Sequence, residues 1–317
     1  MRVLFIDSVH HALWNGLTAD GHYCVDGTTL SLEEILQQMP VYDGVVIRSR
    51  IRLDQHFFDV SSNLKFIARS GAGMESIDLE YAAEKGVHCI NSPEGNKDAV
   101  GEHAVGMLLM LLNNLGRADR EVRKGVWIRE ANRGVELNGM TVALIGYGTM
   151  GRAVAKRLSG FGCEVIAYDK YLTSWPDGHA RRVEMDEVFI VADVVSLHVP
   201  LTDETRLMAD MEYFARFKKN IWMINTARGG CLSLDALAYA IKAGKVLGAC
   251  LDVLEYEDSS FEKFSLSETV TNPPHSWTFL TDCDRVVFSP HIAGWTHESY
   301  RKLSEVLLDK IRKIFPS

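Results

Sequence analysis

Three glycines in the spacing G-x-G-x-x-G, Gly146, Gly148 and Gly151, stand between a short apolar run, Val142 to Ile145, and a segment of helical period. A second apolar run, Cys163 to Tyr168, stops at Asp169, 18 residues past Gly151. Each part has a physical job in holding a dinucleotide. Gly146 permits a tight turn, Gly148 lets backbone approach a pyrophosphate, and Gly151 lets the helix lie close on the strand. The helix N-terminus offers unpaired N–H groups and partial positive charge to the phosphates. An acid at roughly 20 residues accepts the adenosine ribose hydroxyls, and Asp169 falls near that distance. With no arginine beside it, Asp169 favours NAD over NADP, because a carboxylate repels a 2′-phosphate; Lys170 is the neighbouring cation.

Further groups with chemical potential stand just past other apolar runs, where parallel sheets carry their ligand-binding residues. Arg48 follows one such run. Arg69-Ser-Gly-Ala-Gly73 follows the next, which puts a guanidinium beside a glycine-rich loop whose N–H groups can cradle an anion; Arg50 and Arg52 enlarge this basic cluster. Downstream, Val194 to Val199 ends at Pro200, Ile221 to Ile224 at Asn225-Thr-Ala-Arg-Gly-Gly230, Val246 to Leu251 at Asp252, and Val286 to Phe288 at Ser289-Pro-His-Ile-Ala-Gly294. These ends carry Thr202, Arg228, Asp252 and His291. His103, inside a long apolar segment, reads as a core or interface histidine rather than a catalyst.

The elements that must position these groups follow from the same pattern. Short runs at Val3 to Ile6, Gly44 to Ile47, Lys65 to Ala68 and Val87 to Ile90 alternate with helix-like segments, the signature of a parallel α/β sheet. Two doubly wound parallel-sheet α/β domains are expected, one of residues 1–97 and 292–317, the other of 98–291. Ser31-Leu-Glu-Glu34 predicts a capping box opening a helix to Met39, and Gly86 sits where a helix C-cap belongs. Asn91-Ser-Pro-Glu-Gly-Asn96 is turn chemistry, and a helix from Asp98 to about Leu115 bridges into the second domain, apolar enough to be buried between domains or subunits. The segment Asp258 to Asp284 is long for a compact domain and reads as a lid, a packing arm or disordered chain. His297 to Phe315 predicts an amphipathic helix packed back on the first domain.

Composition narrows the function. The chain has 317 residues, 47% hydrophobic and 24% charged, with net charge −8, enough for two domains of the usual ~100 to 200 residues. A sequence pI near 5.8 argues against nucleic-acid binding, which usually shows a basic face or a pI above about 9. The six cysteines are scattered with no C-x-x-C, so neither a metal site nor a disulfide framework is expected. The start MRVLFIDSVHH reads as a strand rather than a signal peptide. The longest apolar stretch, Val105 to Leu112, is far below the ~20 residues that cross a bilayer, so no membrane association and a cytoplasmic location are expected.

Taken together, G-Y-G-T-M-G with Asp169, His198-Val-Pro-Leu-Thr202, Asn225-Thr-Ala-Arg-Gly-Gly230, Leu251-Asp-Val253 followed by Glu257, and Ser289-Pro-His-Ile-Ala-Gly294 resemble, in that order, the D-isomer-specific 2-hydroxyacid dehydrogenases. The resemblance covers nearly the whole chain. It implies a flavodoxin-like substrate domain plus a Rossmann NAD-binding domain, and hydride transfer between NAD(H) and a small D-2-hydroxy or 2-keto acid. On this resemblance Arg228 binds the substrate carboxylate and polarises the 2-keto group, His291 is the general acid/base, and Glu257 pairs with it. Asp252 holds the nicotinamide carboxamide, and the backbone of Ser70, Gly71, Ala72 and Gly73 helps bind the carboxylate. The cofactor contacts carried over are Gly146, Tyr147, Gly148, Thr149, Met150, Gly151, Asp169, His198, Pro200, Thr202, Thr226, Ala227, Asp252 and Gly294. The chemistry asks for such groups independently: negative charge builds on the carbonyl oxygen, so a fixed cation and a proton donor must face it, and histidine titrates near working pH.

Two departures from the family pattern stand out. The proline commonly found after the glutamate is replaced by Asp258, which leaves Glu255 as an alternative to Glu257, and the stretch Asp258 to Asp284 is an insertion. Arg48, Arg69 and Asn91 to Asn96 look most like the 3-phosphoglycerate dehydrogenase branch, without the C-terminal regulatory domain many members carry. 3-Phosphoglycerate is therefore the expected substrate, with glyoxylate, hydroxypyruvate or another small 2-keto acid as alternatives. The family is commonly dimeric through the long helix, so a homodimer is expected. A non-catalytic NAD-sensing binding protein of the same fold is the alternative from another class.

Overall fold

The computed structural model describes residues 1–175, 177–257 and 274–316. Within them the chain forms two compact units, one of residues 1–98 and 295–316, the other of 99–257 and 274–294. The expected α/β class is what both units show.

The first unit is a five-stranded sheet of β1 (Arg2–Phe5), β2 (Tyr23–Asp26), β3 (Gly44–Ile47), β4 (Phe66–Arg69) and β5 (His88–Asn91). All its pairings are parallel, in the order β2-β1-β3-β4-β5, the flavodoxin-like winding. Side chains alternate across a strand, and both faces here are covered. Leu4, Val45 and Ile67 enter a core with Ile35 and Phe57 on one side, while Val3, Phe5, Val46 and Phe66 pack on the other against Leu13, Leu17, Leu307 and Ile311. The last residues come from the C-terminal helix His297–Ile314, opened by a capping box of Thr296 and Ser299, so this helix completes the first unit as its amphipathic pattern requires. The capping box at Ser31 and Glu34 is also formed.

The second unit is a seven-stranded parallel sheet of β6 (Thr141–Ile145), β7 (Glu164–Tyr168), β8 (Arg181–Arg182), β9 (Val194–Leu197), β10 (Ile221–Asn225), β11 (Val246–Leu251) and β12 (Val286–Phe288). Its order is β12-β11-β10-β9-β6-β7-β8, which counted from β6 is the Rossmann order with a seventh strand added. Its register aligns the strand ends: Tyr168, Ile145, Leu197, Asn225, Leu251 and Phe288 are successive partners across the sheet. The residues one step beyond that row are Asp169, Gly146, His198, Thr226, Asp252 and Ser289. Near the start of β11 the register shifts, Ile221 pairing with Val246 but Trp222 with Gly248; Leu247 is the extra residue of a bulge.

Three elements differ from the sequence expectation. The helix Pro93–Leu112 begins before Asp98, because a proline costs nothing at the first helical position, where its missing N–H has no partner anyway. It also stops at Leu112, and a second helix, Leu115–Arg123, starts after Asn114 takes a left-handed backbone, φ 54°. His275–Asp282 is helical, so at least this part of the long stretch is ordered secondary structure; residues 258–273 of it lie outside the described residues. Among the described residues no helix is long and apolar enough to cross a membrane, and no cluster of three or more His, Cys, Asp and Glu side chains is placed to hold a metal ion.

Candidate dinucleotide and catalytic site

At the start of the row, the glycine turn is shaped by backbone contact that admits no side chain. Gly146 has φ 95°, and a Cβ there would stand 2.7 Å from the His198 carbonyl oxygen. A Cβ on Gly151 would stand 2.2 Å from the Gly146 carbonyl oxygen, whereas around Gly148 the space is open. The helix Thr149–Leu158 starts directly from Gly148, which has no side chain to cap its first turn, so the N–H groups near Thr149, Met150 and Gly151 can be offered to a ligand. Asp169 is fixed against this turn: Oδ2 accepts from the Tyr147 N–H at 2.8 Å, and Oδ1 from the N–H groups of Tyr171 and Leu172 at 3.0 and 2.9 Å. Lys170 is ion-paired with Glu204, which also accepts from the Tyr171 hydroxyl.

The Tyr147 side chain points away from the turn's open side. It is fully buried, stacks on Trp175 with ring centroids 4.5 Å apart and donates to Asp177 Oδ1 at 2.5 Å. Only its backbone is thus available to a ligand. On the neighbouring strand ends, Thr226 Oγ1 and His198 Nδ1 are enclosed with no hydrogen-bond partner among the described residues, as polar atoms are when a ligand is to supply it. His198 Nε2 meets Ser196 Oγ at 2.9 Å, and burial holds the imidazole at about 4, so it is neutral at physiological pH. Thr205 Oγ1 donates to the Pro200 carbonyl at 2.6 Å and meets Thr202 Oγ1 at 3.2 Å, a turn closed on itself. A glycine cradle, an uncapped helix start, a fixed acid and two orphaned polar atoms fit a dinucleotide.

At the other end of the row the side chains hold one another. His291 Nδ1 lies 2.7 Å from Glu257 Oε2, and Glu257 Oε1 accepts from the Leu254 N–H at 2.5 Å. Glu255 turns elsewhere, accepting from the Leu234 N–H at 2.9 Å at the start of the helix Leu234–Lys242. Of the two candidates, Glu257 is the one that touches His291. His291 itself sits in the left-handed region, φ 55°, where a residue with a Cβ is strained. It is kept there by its N–H donating to the Asp252 carbonyl at 2.7 Å.

The Asp252 carboxylate, 1% exposed, fastens the same loop. Oδ1 accepts from Ser289 Oγ at 2.6 Å and the Ile292 N–H at 2.9 Å, and Oδ2 from the Ala293 N–H at 2.9 Å, just before Gly294. Burial alone would push this carboxyl up, but the nearby His103 ring, the Ser289 hydroxyl and the N–H groups of Ala293 and Ile292 outweigh it and hold it below the usual carboxylate range. Arg228 Nη1 donates to the Ala227 carbonyl at 2.6 Å. Its turn is shaped by Asn225, fully buried, whose amide donates to the Arg228 carbonyl at 3.0 Å and accepts from the Ala227 N–H at 3.1 Å. Asn225 stands in a sequence motif without a chemical role of its own, and only the fold shows it shaping this turn. His103 reads from sequence as structural, and the spacing of His103, Asp252 and Ser289 along the chain carries no signal that they meet.

In the first unit, Asp7 Oδ2 gathers the N–H groups of Arg48, Ser49 and Arg50 at 2.6, 3.1 and 3.3 Å. The Arg48 guanidinium lies over the Trp295 ring, 4.4 Å from its centroid, a favourable cation–π placement. Arg69 Nε donates to the Arg48 carbonyl at 3.1 Å, and its Nη1 stands 1.7 Å from where a Cβ of Gly71 would be; the guanidinium thus lies against Gly71. That loop is tied to β5 by Ser92 N–H to the Gly71 carbonyl at 2.9 Å and the Asn91 amide to the Ala72 carbonyl at 2.6 Å. Arg50 does not join this group: it donates to the carbonyls of Gly27, at 3.1 Å, and Thr28.

A Rossmann sheet with this glycine cradle defines a dinucleotide-binding protein. Residues 105–293 match the family model described as D-isomer specific 2-hydroxyacid dehydrogenase, NAD binding domain. The chain is 33% identical over 98% of its length to a D-3-phosphoglycerate dehydrogenase of Archaeoglobus fulgidus, of which it covers 56%. It is 36% identical over 90% of its length to a hydroxypyruvate reductase of Thermotoga maritima, covering 88% of that protein. Among solved structures, D-lactate dehydrogenase from Aquifex aeolicus complexed with NAD and lactic acid aligns with TM-score 0.82 and 26% identity, over 99% of this chain and 95% of that one. The chain belongs to the D-isomer specific 2-hydroxyacid dehydrogenase family, and its second unit is that family's NAD-binding domain.

Proposed function

We propose that the chain is an NAD-dependent dehydrogenase of D-2-hydroxy acids. The observation that carries this is the His291–Glu257 contact of 2.7 Å, formed on the sheet edge that also bears Arg228. Arg228 binds the substrate carboxylate and polarises the 2-keto oxygen, where negative charge develops. With Nδ1–H donated to Glu257, the proton in play is the one on His291 Nε2. It passes to the carbonyl oxygen in reduction and is taken from the hydroxyl in oxidation. The bound nicotinamide supplies or receives the hydride; the protein's part is placement. NAD is preferred to NADP because Asp169 faces the turn and the charge of Lys170 is countered by Glu204.

The second unit takes the cofactor, and the first takes the substrate's anionic groups through Arg48, Arg69 and the N–H groups of Ser70 to Gly73. 3-Phosphoglycerate, with a carboxylate and a phosphate, suits two held guanidiniums, and the archaeal relative bears that name. A hydroxypyruvate or glyoxylate reductase is the second reading, favoured by the engagement of Arg50 away from this group and by the Thermotoga relative. The test is NADH absorbance against a panel of 2-keto and 2-hydroxy acids. Turnover of 3-phosphoglycerate with a KM that Arg69→Ala raises far more than that for glyoxylate supports the phosphate reading; equal effects on both count against it. NADH binding without turnover of any acid sinks the enzyme reading and leaves the NAD-sensing alternative.

The enzyme is a homodimer in this proposal. The helix Leu115–Arg123 and the segment after it expose Leu115, Val122, Trp127 and Ile128 at 55, 52, 78 and 48%, an apolar run that a second copy would cover. A monomeric mass by light scattering contradicts this. All six cysteines carry free thiols, which suits a reducing compartment such as the cytoplasm.

A further inference from the structure

We propose that His103 is a positioning residue of the hydride-transfer site, acting through Ser289 on the Asp252 carboxylate and thereby on the loop that carries His291. This rests on the dehydrogenase reading above. His103 Nε2 lies 2.9 Å from Ser289 Oγ and 3.5 Å from Asp252 Oδ1. Ser289 has one hydroxyl proton, and its oxygen is 2.6 Å from Asp252 Oδ1. An ionised carboxylate can only accept, so the hydroxyl donates to Asp252 and His103 must carry its proton on Nε2 and donate to Oγ. The chain of donors therefore runs in one direction, His103 to Ser289 to Asp252.

Asp252 is where that chain meets the catalytic loop. Its side chain and carbonyl together take four hydrogen bonds from residues 289–293, from Ser289 Oγ and the N–H groups of His291, Ile292 and Ala293. They offset the strain of His291 at φ 55°. Met107, one helical turn beyond His103 and on the same face, has its Sδ 3.5 Å from Ser289 Oγ, a weak alternative acceptor. Without His103 the serine hydroxyl loses its polarising donor and gains freedom to turn to the sulfur, and the loop under His291 loosens. A misplacement of ~1 Å at a reacting group can cost up to 10²-fold in rate.

The test uses the full chain, the 2-keto acid it reduces best, and NADH with and without deuterium at the transferred position. His103→Ala is expected to lower kcat about tenfold, to leave KM for the acid within twofold, and to raise the isotope effect on kcat because hydride transfer becomes slower. His103→Gln, whose amide can donate from a similar place, should restore most of kcat. Ser289→Ala and the His103/Ser289 double variant should match His103→Ala, since the two side chains act as one unit. The proposal is overturned by kcat within twofold of the parent in His103→Ala, by a His103→Gln variant as impaired as the alanine one, or by losses that multiply in the double variant. If the alanine variant does not fold, the glutamine and serine variants decide. No turnover in the parent chain overturns the dehydrogenase reading and this proposal with it, whereas an active parent with an unaffected His103→Ala overturns this proposal alone.

Discussion

The two halves of the seven-stranded sheet's edge work by opposite means. Beyond β6, β7 and β9 the decisive atoms are the ones left out: a methyl at Gly146 or Gly151 would stand 2.7 or 2.2 Å from a carbonyl oxygen. Beyond β10, β11 and β12 they are side chains that hold each other, with Asn225 under the Arg228 turn, Asp252 under the His291 loop and Glu257 on the ring. The first half should fail when atoms are added and the second when they are removed. Damage to the first should appear in cofactor binding, damage to the second in turnover.

The largest effect tests the second half. His291→Ala should lower kcat by ~10² to 10⁴, the usual share of a general acid/base, while the Kd for NADH by fluorescence titration stays within a few-fold. Equal losses of binding and turnover would erase the division. Next, Gly151→Ala should weaken NADH binding by about tenfold to a hundredfold, the equivalent of the 1–3 kcal/mol of an overpacked site, with kcat at saturation little changed.

A finer cut separates the two glutamates. Glu257→Gln should lower kcat about tenfold at unchanged fold stability, because the ring loses its charged partner and orientation. Glu255→Ala should lower Tm by the equivalent of about 1 kcal/mol, a lost helix-start hydrogen bond, and leave kcat within twofold. Reversal of these outcomes would move the acid partner to Glu255. The smallest effect at neutral pH concerns His198. Its folded-state value, about 4, lies below the ordinary ~6.5, so the unfolded chain takes up the proton first. Its contribution to stability is complete above pH 6.5 and is lost as pH falls toward 4. Tm measured across that window should fall less steeply in His198→Gln than in the parent, and parallel curves would discard the point.

Much of this arrangement was legible because strands buried on both faces read as continuous apolar runs, and the groups just past them were the ones with chemical potential. The strands that went unread were those without such runs. β2 lies at a sheet edge with Tyr23 64% exposed, and β8 is two arginines; neither has a buried face pair to write into the sequence. Glu257 and Glu255 could not be separated because both lie near the end of β11, and only the fold decides which turns toward the loop. The His103–Ser289–Asp252 contact spans 186 residues of chain, a proximity that no local spacing encodes. Pro93 reads as a turn residue because proline serves turns and first helical positions alike.

The bulge at Leu247 lies at the far end of β11 from the loop of His291, and it is slack in the strand rather than part of its register. Val246 faces Ile221 and Gly248 faces Trp222, so the extra residue is taken up between these two pairs and every pair from Trp222–Gly248 to Asn225–Leu251 is regular. Asp252 keeps its place just past the row whether or not Leu247 is there. Length can therefore change at this point of β11 without reaching the other end: deleting Leu247 should cost some stability and spare turnover.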